Sequence, residues 1–92
     1  MNRIDVVCST SGDGATCQVT VKDDRSESKH VVHVPKNDLQ RWGRGGSPED
    51  LVRRSFEFLL QREPKESILR EFELSIIQRY FPEFDRKIVN QD

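Results

Sequence analysis

The chain is poor in the residues that most often mark a function. In 92 residues it has two cysteines, two histidines, one tryptophan, one tyrosine and one methionine. A structural zinc site asks for about four ligands, and the cysteines and histidines would all have to converge to supply them. No segment approaches the roughly 18 consecutive apolar residues of a membrane-spanning helix. Met1-Asn2-Arg3-Ile4-Asp5 has no apolar run of signal-peptide length, which predicts a cytosolic chain whose thiols stay reduced. Neither sign of charge dominates: 15 Lys and Arg face 16 Asp and Glu, for a net charge of −1. That balance excludes both a strongly basic coat for nucleic acid and an acidic tail. There is no G-x-S-x-G elbow, no internal repeat and no low-complexity linker.

What is present describes one globular domain. Apolar and charged residues each make up 34% of the chain, as expected of one core under a charged surface. The domain is expected to cover residues 1–84, with 85–92 as a flexible tail in which Ile88-Val89 is able to pair as an edge strand.

The first third alternates. Ile4, Val6 and Cys8 form one series, Cys17, Val19 and Val21 a second, and Val32 and Val34 a third. Such alternation predicts half-buried strands, at about 2–8, 16–23 and 29–34. Pairing Cys8 with Cys17 sets Val6 opposite Val19 and Ile4 opposite Val21. Pairing Val19 with Val32 sets Cys17 opposite Val34 and makes Arg25-Ser26 the turn. Both registers gather the apolar residues on one face of an antiparallel meander.

The rest has helical spacing. Pro35 to Gly43 suggests a short helix, followed by the flexible Arg44-Gly45-Gly46. Ser47-Pro48-Glu49-Asp50 is a strong helix start, with a capping hydroxyl, a proline for the first position and acids for the positive helix end. Leu51, Val52, Phe56, Leu59 and Leu60 follow as an apolar stripe. Pro64 ends that helix and is expected to open another, with Ile68, Leu69 and Phe72 facing inward. The predicted fold is α+β in two layers, the three-stranded meander covered on one face by three to four helices.

Few residues invite a chemical reading. Cys8 and Cys17 are either a redox pair or two small buried core residues, and the reducing compartment favours the second. In the proposed register His33 lies on the sheet face away from the cysteines. His30 falls opposite Val21, about 13 Å from Cys17 at strand rise, so no metal site or cysteine–histidine catalytic pair is expected. Gly12-Asp13-Gly14 joins two strands rather than a strand and a helix, and is not expected to cradle phosphate. From Leu39 to Arg62 five arginines (41, 44, 53, 54, 62) face three acids (49, 50, 57). With Trp42 beside Arg41 and Arg44, this segment suggests phosphate contact or base stacking. The competing reading buries Trp42 in the core.

Residues 65–84 have the outline of a helix-turn-helix. Its second helix would keep six residues, 76 to 81, about 9 Å long. Ile76 with Tyr80 and Ile77 with Phe81 are spaced as core anchors, which leaves Gln78 and Arg79 to read bases. Three bases (65, 70, 79) face four acids (66, 71, 73, 83) here, a poor balance for neutralising phosphates.

The segment EPKESILREFELSIIQRYFPEF, with SPEDLVRRSFEFLLQR before it, resembles a family of short uncharacterised prokaryotic proteins over roughly the last half of the chain. That resemblance implies no activity, cofactor or site residue. The order of a small sheet followed by helices is similar to antitoxins of toxin–antitoxin pairs.

The resulting expectation is a non-catalytic cytosolic protein-interaction module, a small regulator or antitoxin-like protein. It has no cofactor, metal or membrane, and its partner is another protein or a second copy. Tyr80 and Phe84 are candidate contact residues, with Arg79 beside them. The alternative is a nucleic-acid-binding regulator using Arg41, Trp42, Arg44, Arg53 and Arg54.

Overall fold

The computed structural model describes residues 2–44 and 46–89. The alternating first third forms β1 (Arg3–Ser11), β2 (Gly14–Lys22) and β3 (Glu27–Pro35). β1 and β2 pair antiparallel as the apolar pattern requires: Cys8 lies opposite Cys17, Val6 opposite Val19 and Ile4 opposite Val21. Gly12 and Asp13 form the tight connection. Gly14 then takes a φ of 142°, where a Cβ would lie 2.2 Å from the Val34 carbonyl oxygen. Only glycine fits that backbone and that approach.

β2 and β3 also pair antiparallel, but their register differs from the expected one by two residues. Cys17 lies opposite Val32 and Val19 opposite His30. The turn decides this. Asp23 Oδ1 accepts the N–H groups of Arg25 at 2.8 Å and Ser26 at 2.9 Å, so the reversal spans Asp23 to Ser26 rather than Arg25-Ser26 alone. A two-residue slide keeps every side chain on its own face. It does bring His30 two residues closer to Cys17 than expected, on the buried face that both share.

α1 (Lys36–Asp38) runs directly into a π-helical turn, Leu39–Gly43. Arg44 ends it in a left-handed conformation, with a φ of 48°. α2 (Pro48–Leu60) starts as its sequence dictates: Ser47 Oγ accepts the Asp50 N–H at 3.0 Å. Leu51, Val52, Phe56 and Leu59 are buried, Leu60 is half-buried, and Phe58 adds a second buried ring.

The helix expected after Pro64 does not form. Lys65–Ser67 makes one 3₁₀ turn, and Glu71–Glu73 is a fourth strand, β4, parallel to β3. β3 has a second edge whose backbone groups need partners. Val31 N–H donates to Arg70 O at 2.7 Å, and Leu74 N–H donates to His33 O at 3.0 Å. The sheet is therefore mixed, in the order β1-β2-β3-β4, and the fold is α+β.

α3 (Ile76–Tyr80) and α4 (Phe84–Val89) flank Pro82. The expected tail beginning at Asp85, with Ile88-Val89 as an edge strand, is corrected. Phe84 and Ile88 lie one turn apart on α4 and are both buried, Ile88 to 1% exposure. Residues 90–92 lie outside the described residues. Only Ile77 of α3 is fully buried; the proposed anchor Tyr80 is 68% exposed and Ile76 half-buried. A helix of five residues offers little to a DNA groove.

Candidate functional site

The arginine-rich segment is drawn inward. Trp42 is buried, so it presents no ring for stacking, and Phe84 meets it edge to face at 5.2 Å. Both are core residues rather than contact residues. The Trp42 indole N–H donates to Asp85 Oδ1 at 2.7 Å, Arg41 reaches the same oxygen at 3.2 Å, and Gln78 donates to Asp85 Oδ2. Burial pushes the Asp85 carboxyl up, but donors from Trp42 and Arg41 outweigh it and hold the group below the usual carboxylate range. Arg54 pairs with Asp50 at 3.0 Å and donates to Ile88 O at 2.7 Å, which closes α4 against α2. Arg62 pairs with Glu83 and lies over the Phe58 ring at 3.6 Å. Arg44, Arg53 and Arg79 are exposed.

Cys8 and Cys17 are joined by a disulfide, with their Cα atoms 3.9 Å apart. The expectation of two reduced core thiols is corrected, because directly opposite positions on paired strands bring the sulfur atoms together.

Both histidines and Lys65 are engaged in the framework. His30 is buried with both ring nitrogens satisfied, by Ser28 Oγ at 2.8 Å and Leu69 O at 2.7 Å. His33 Nε2 meets Glu71 Oε2 at 2.6 Å and links β3 to β4 on the open face of the sheet. Lys65 is buried, and its Nζ donates to Asp23 Oδ2 and Glu66 Oε2, both at 2.6 Å. These partners raise its pKa, the opposite of what an amine nucleophile needs. Among the described residues no group of three or more His, Cys, Asp or Glu side chains is placed to hold a metal ion. No helix among them is long and apolar enough to cross a membrane.

The surface feature that stands out is apolar. A groove of about 480 Å³ opens between the 3₁₀ turn, β4 and α3, lined by Leu69, Phe72, Ile76, Ile77, Tyr80 and Phe81. Two of its walls are large apolar side chains in solvent, Leu69 at 50% and Tyr80 at 68% exposure. Sequence spacing had pointed Leu69 inward, as on a helix. The break at Pro64 and the extended backbone that follows rotate it out. Of the residues singled out from sequence, Tyr80 lines this groove and Arg79 stands at its edge, while Trp42 and Phe84 do not reach it. Its signal in the sequence is the aromatic density near the C-terminus at Tyr80, Phe81 and Phe84, of which Tyr80 and Phe81 line the groove.

No family model matches the chain, and neither the curated proteins nor the solved structures contain a match to it.

Proposed function

We propose that the chain is a non-catalytic protein-interaction module that takes an apolar side chain of an extended partner segment into the groove between Leu69 and Tyr80. One observation carries this: two large apolar side chains, Leu69 and Tyr80, stand exposed around a groove that the buried Phe72 and Ile77 also line. Scattered exposed apolar residues are ordinary, whereas clustered ones around a concavity mark contact sites. The nucleic-acid alternative has less support, because Arg41 and Arg54 already serve Asp85 and Asp50. The small regulator or antitoxin-like role belongs to this reading; a cytoplasmic setting does so only with the Cys8–Cys17 pair, joined in the structure, opened by that compartment's reductants. Trapping the thiols in cells tests the setting: a Cys8–Cys17 pair recovered reduced supports it, and a fully oxidised pair counts against it.

The groove is tested by selecting displayed random peptides on the immobilised protein and re-measuring the winners on a Leu69→Ser, Tyr80→Ser double variant. Both positions are exposed, so folding is expected to survive. Apolar peptides that lose at least about tenfold in affinity on the variant support the reading, each lost contact being worth about 1 kcal/mol or more. Winners that bind both proteins equally would sink it.

A further inference from the structure

We infer that the outer edge of β4 accepts an extended segment of a partner protein in which an apolar side chain stands between two basic ones. The inference rests on the groove reading and specifies what enters the groove. Val31 lies beside Glu71 and His33 beside Glu73 in a parallel ladder, and Val31 and Leu74 donate to Arg70 O and His33 O. That pattern aims the backbone groups of Arg70, Phe72 and Leu74 at β3. The N–H and C=O groups of Glu71 and Glu73 therefore point off the sheet, where β4 is last in order and no strand follows among the described residues. Such an edge is a template for strand addition.

The space beside it is open. A second hollow of about 430 Å³ runs along Glu71, Glu73, Ser75 and Arg79, and shares Leu69, Phe72 and Ile76 with the apolar groove. An added strand places each side chain on the same face as the residue it adjoins. The residue beside Phe72 points into the helix layer, toward Leu69, Ile76 and Tyr80. The residues beside Glu71 and Glu73 point to the open face, next to two exposed carboxylates. Opposite charges directly across a ladder stabilise it and like charges weaken it. Glu63 adds an acid on the groove side, against the single base Arg79. The occupant is thus basic, apolar, basic. A second copy of this chain fits less well, because its two edge strands, β1 and β4, offer Arg3-Ile4-Asp5 and Glu71-Phe72-Glu73 and set one acid or two against the glutamates.

The test uses fluorescein-labelled short peptides read by anisotropy: alternating Lys and Val, alternating Glu and Val, and the Lys–Val peptide N-methylated on the amides of one edge. The Lys–Val peptide is expected to bind about tenfold tighter than the Glu–Val peptide. N-methylation is expected to weaken it strongly. A Glu71→Lys, Glu73→Lys variant, checked for folding by circular dichroism, should reverse the charge preference. Glu73→Lys alone keeps the His33–Glu71 contact and should abolish the preference, one base offsetting one acid. Binding lost in Tyr80→Ser but indifferent to charge and N-methylation overturns the strand pattern and leaves the groove reading standing. If neither peptide binds, both readings fall. A dimer in sedimentation, with slowed exchange at the Glu71 and Glu73 amides, assigns the edge to a second copy and overturns the partner.

Discussion

The indole N–H of Trp42 donates to Asp85 Oδ1 at 2.7 Å, and this bond joins the π-helical turn to the first turn of α4. Asp85 also sits where an acid suits the positive end of that helix. Replacing Asp85 by Ala leaves the buried indole N–H without a partner. The expected loss in unfolding free energy is about 1–3 kcal/mol, measured by urea denaturation. A change within experimental error would show that α4 is held by its apolar contacts alone.

Stability should fall with acid. Asp85, Asp23, Glu66 and Glu83 are all held below their ordinary values in the folded chain. For Asp23 the first cause is the hydrogen bond from Lys65. A depressed carboxyl stabilises the fold above its unfolded pKa, and that contribution disappears as pH drops through the folded pKa. The urea midpoint should hold near neutrality and decline from about pH 5 downward. Asp38 has the opposite sign, because burial raises its carboxyl. Asp38→Asn should therefore stabilise the chain at pH 7 and do nothing in strong acid, when both midpoints are followed.

Ile88 tests the reassigned C-terminal segment. Ile88→Ala is expected to cost about 2–5 kcal/mol, since the side chain is 1% exposed. A residue in a loose tail would cost nothing. Chemical denaturation of the variant separates the two.

The Cys8–Cys17 bond closes a short loop, with a sequence separation of 9. Loop closure of that size is worth about 2–3 kcal/mol. Urea melts with and without a phosphine reductant should differ by that amount, and coincident melts would mean that the hairpin needs no covalent clasp.

The strength of each local signal explains how much of this was legible in the sequence. Strict alternation at Ile4, Val6 and Cys8 against Cys17, Val19 and Val21 fixed the first hairpin, because one slip would expose the whole set. The apolar pattern leaves the second hairpin free to slide by two residues, since such a slide conserves faces, and the turn from Asp23 to Ser26 decides it. Ser47 and Pro48 announced α2. β4 was hidden because Glu71-Phe72-Glu73 carries one apolar residue inside a helix-like spacing, and its pairing partner lies about forty residues upstream. α4 did leave a trace, Phe84 and Ile88 at i,i+4 behind an acid. The groove was legible only as a surplus of large apolar side chains, because its shape depends on where β4 docks.

β3 and β4 run parallel although residues 36–70 separate them. A hairpin closes in about 1–10 μs, but this strand has no neighbour in sequence to zip against. It must wait until α1 and α2 have carried the chain back across the sheet, and such long-range closures come late. The cleft it borders is thus completed at the end of folding. A chain stalled before that moment has its hairpins and lacks its cleft, so that a ligand of the cleft would count only finished molecules.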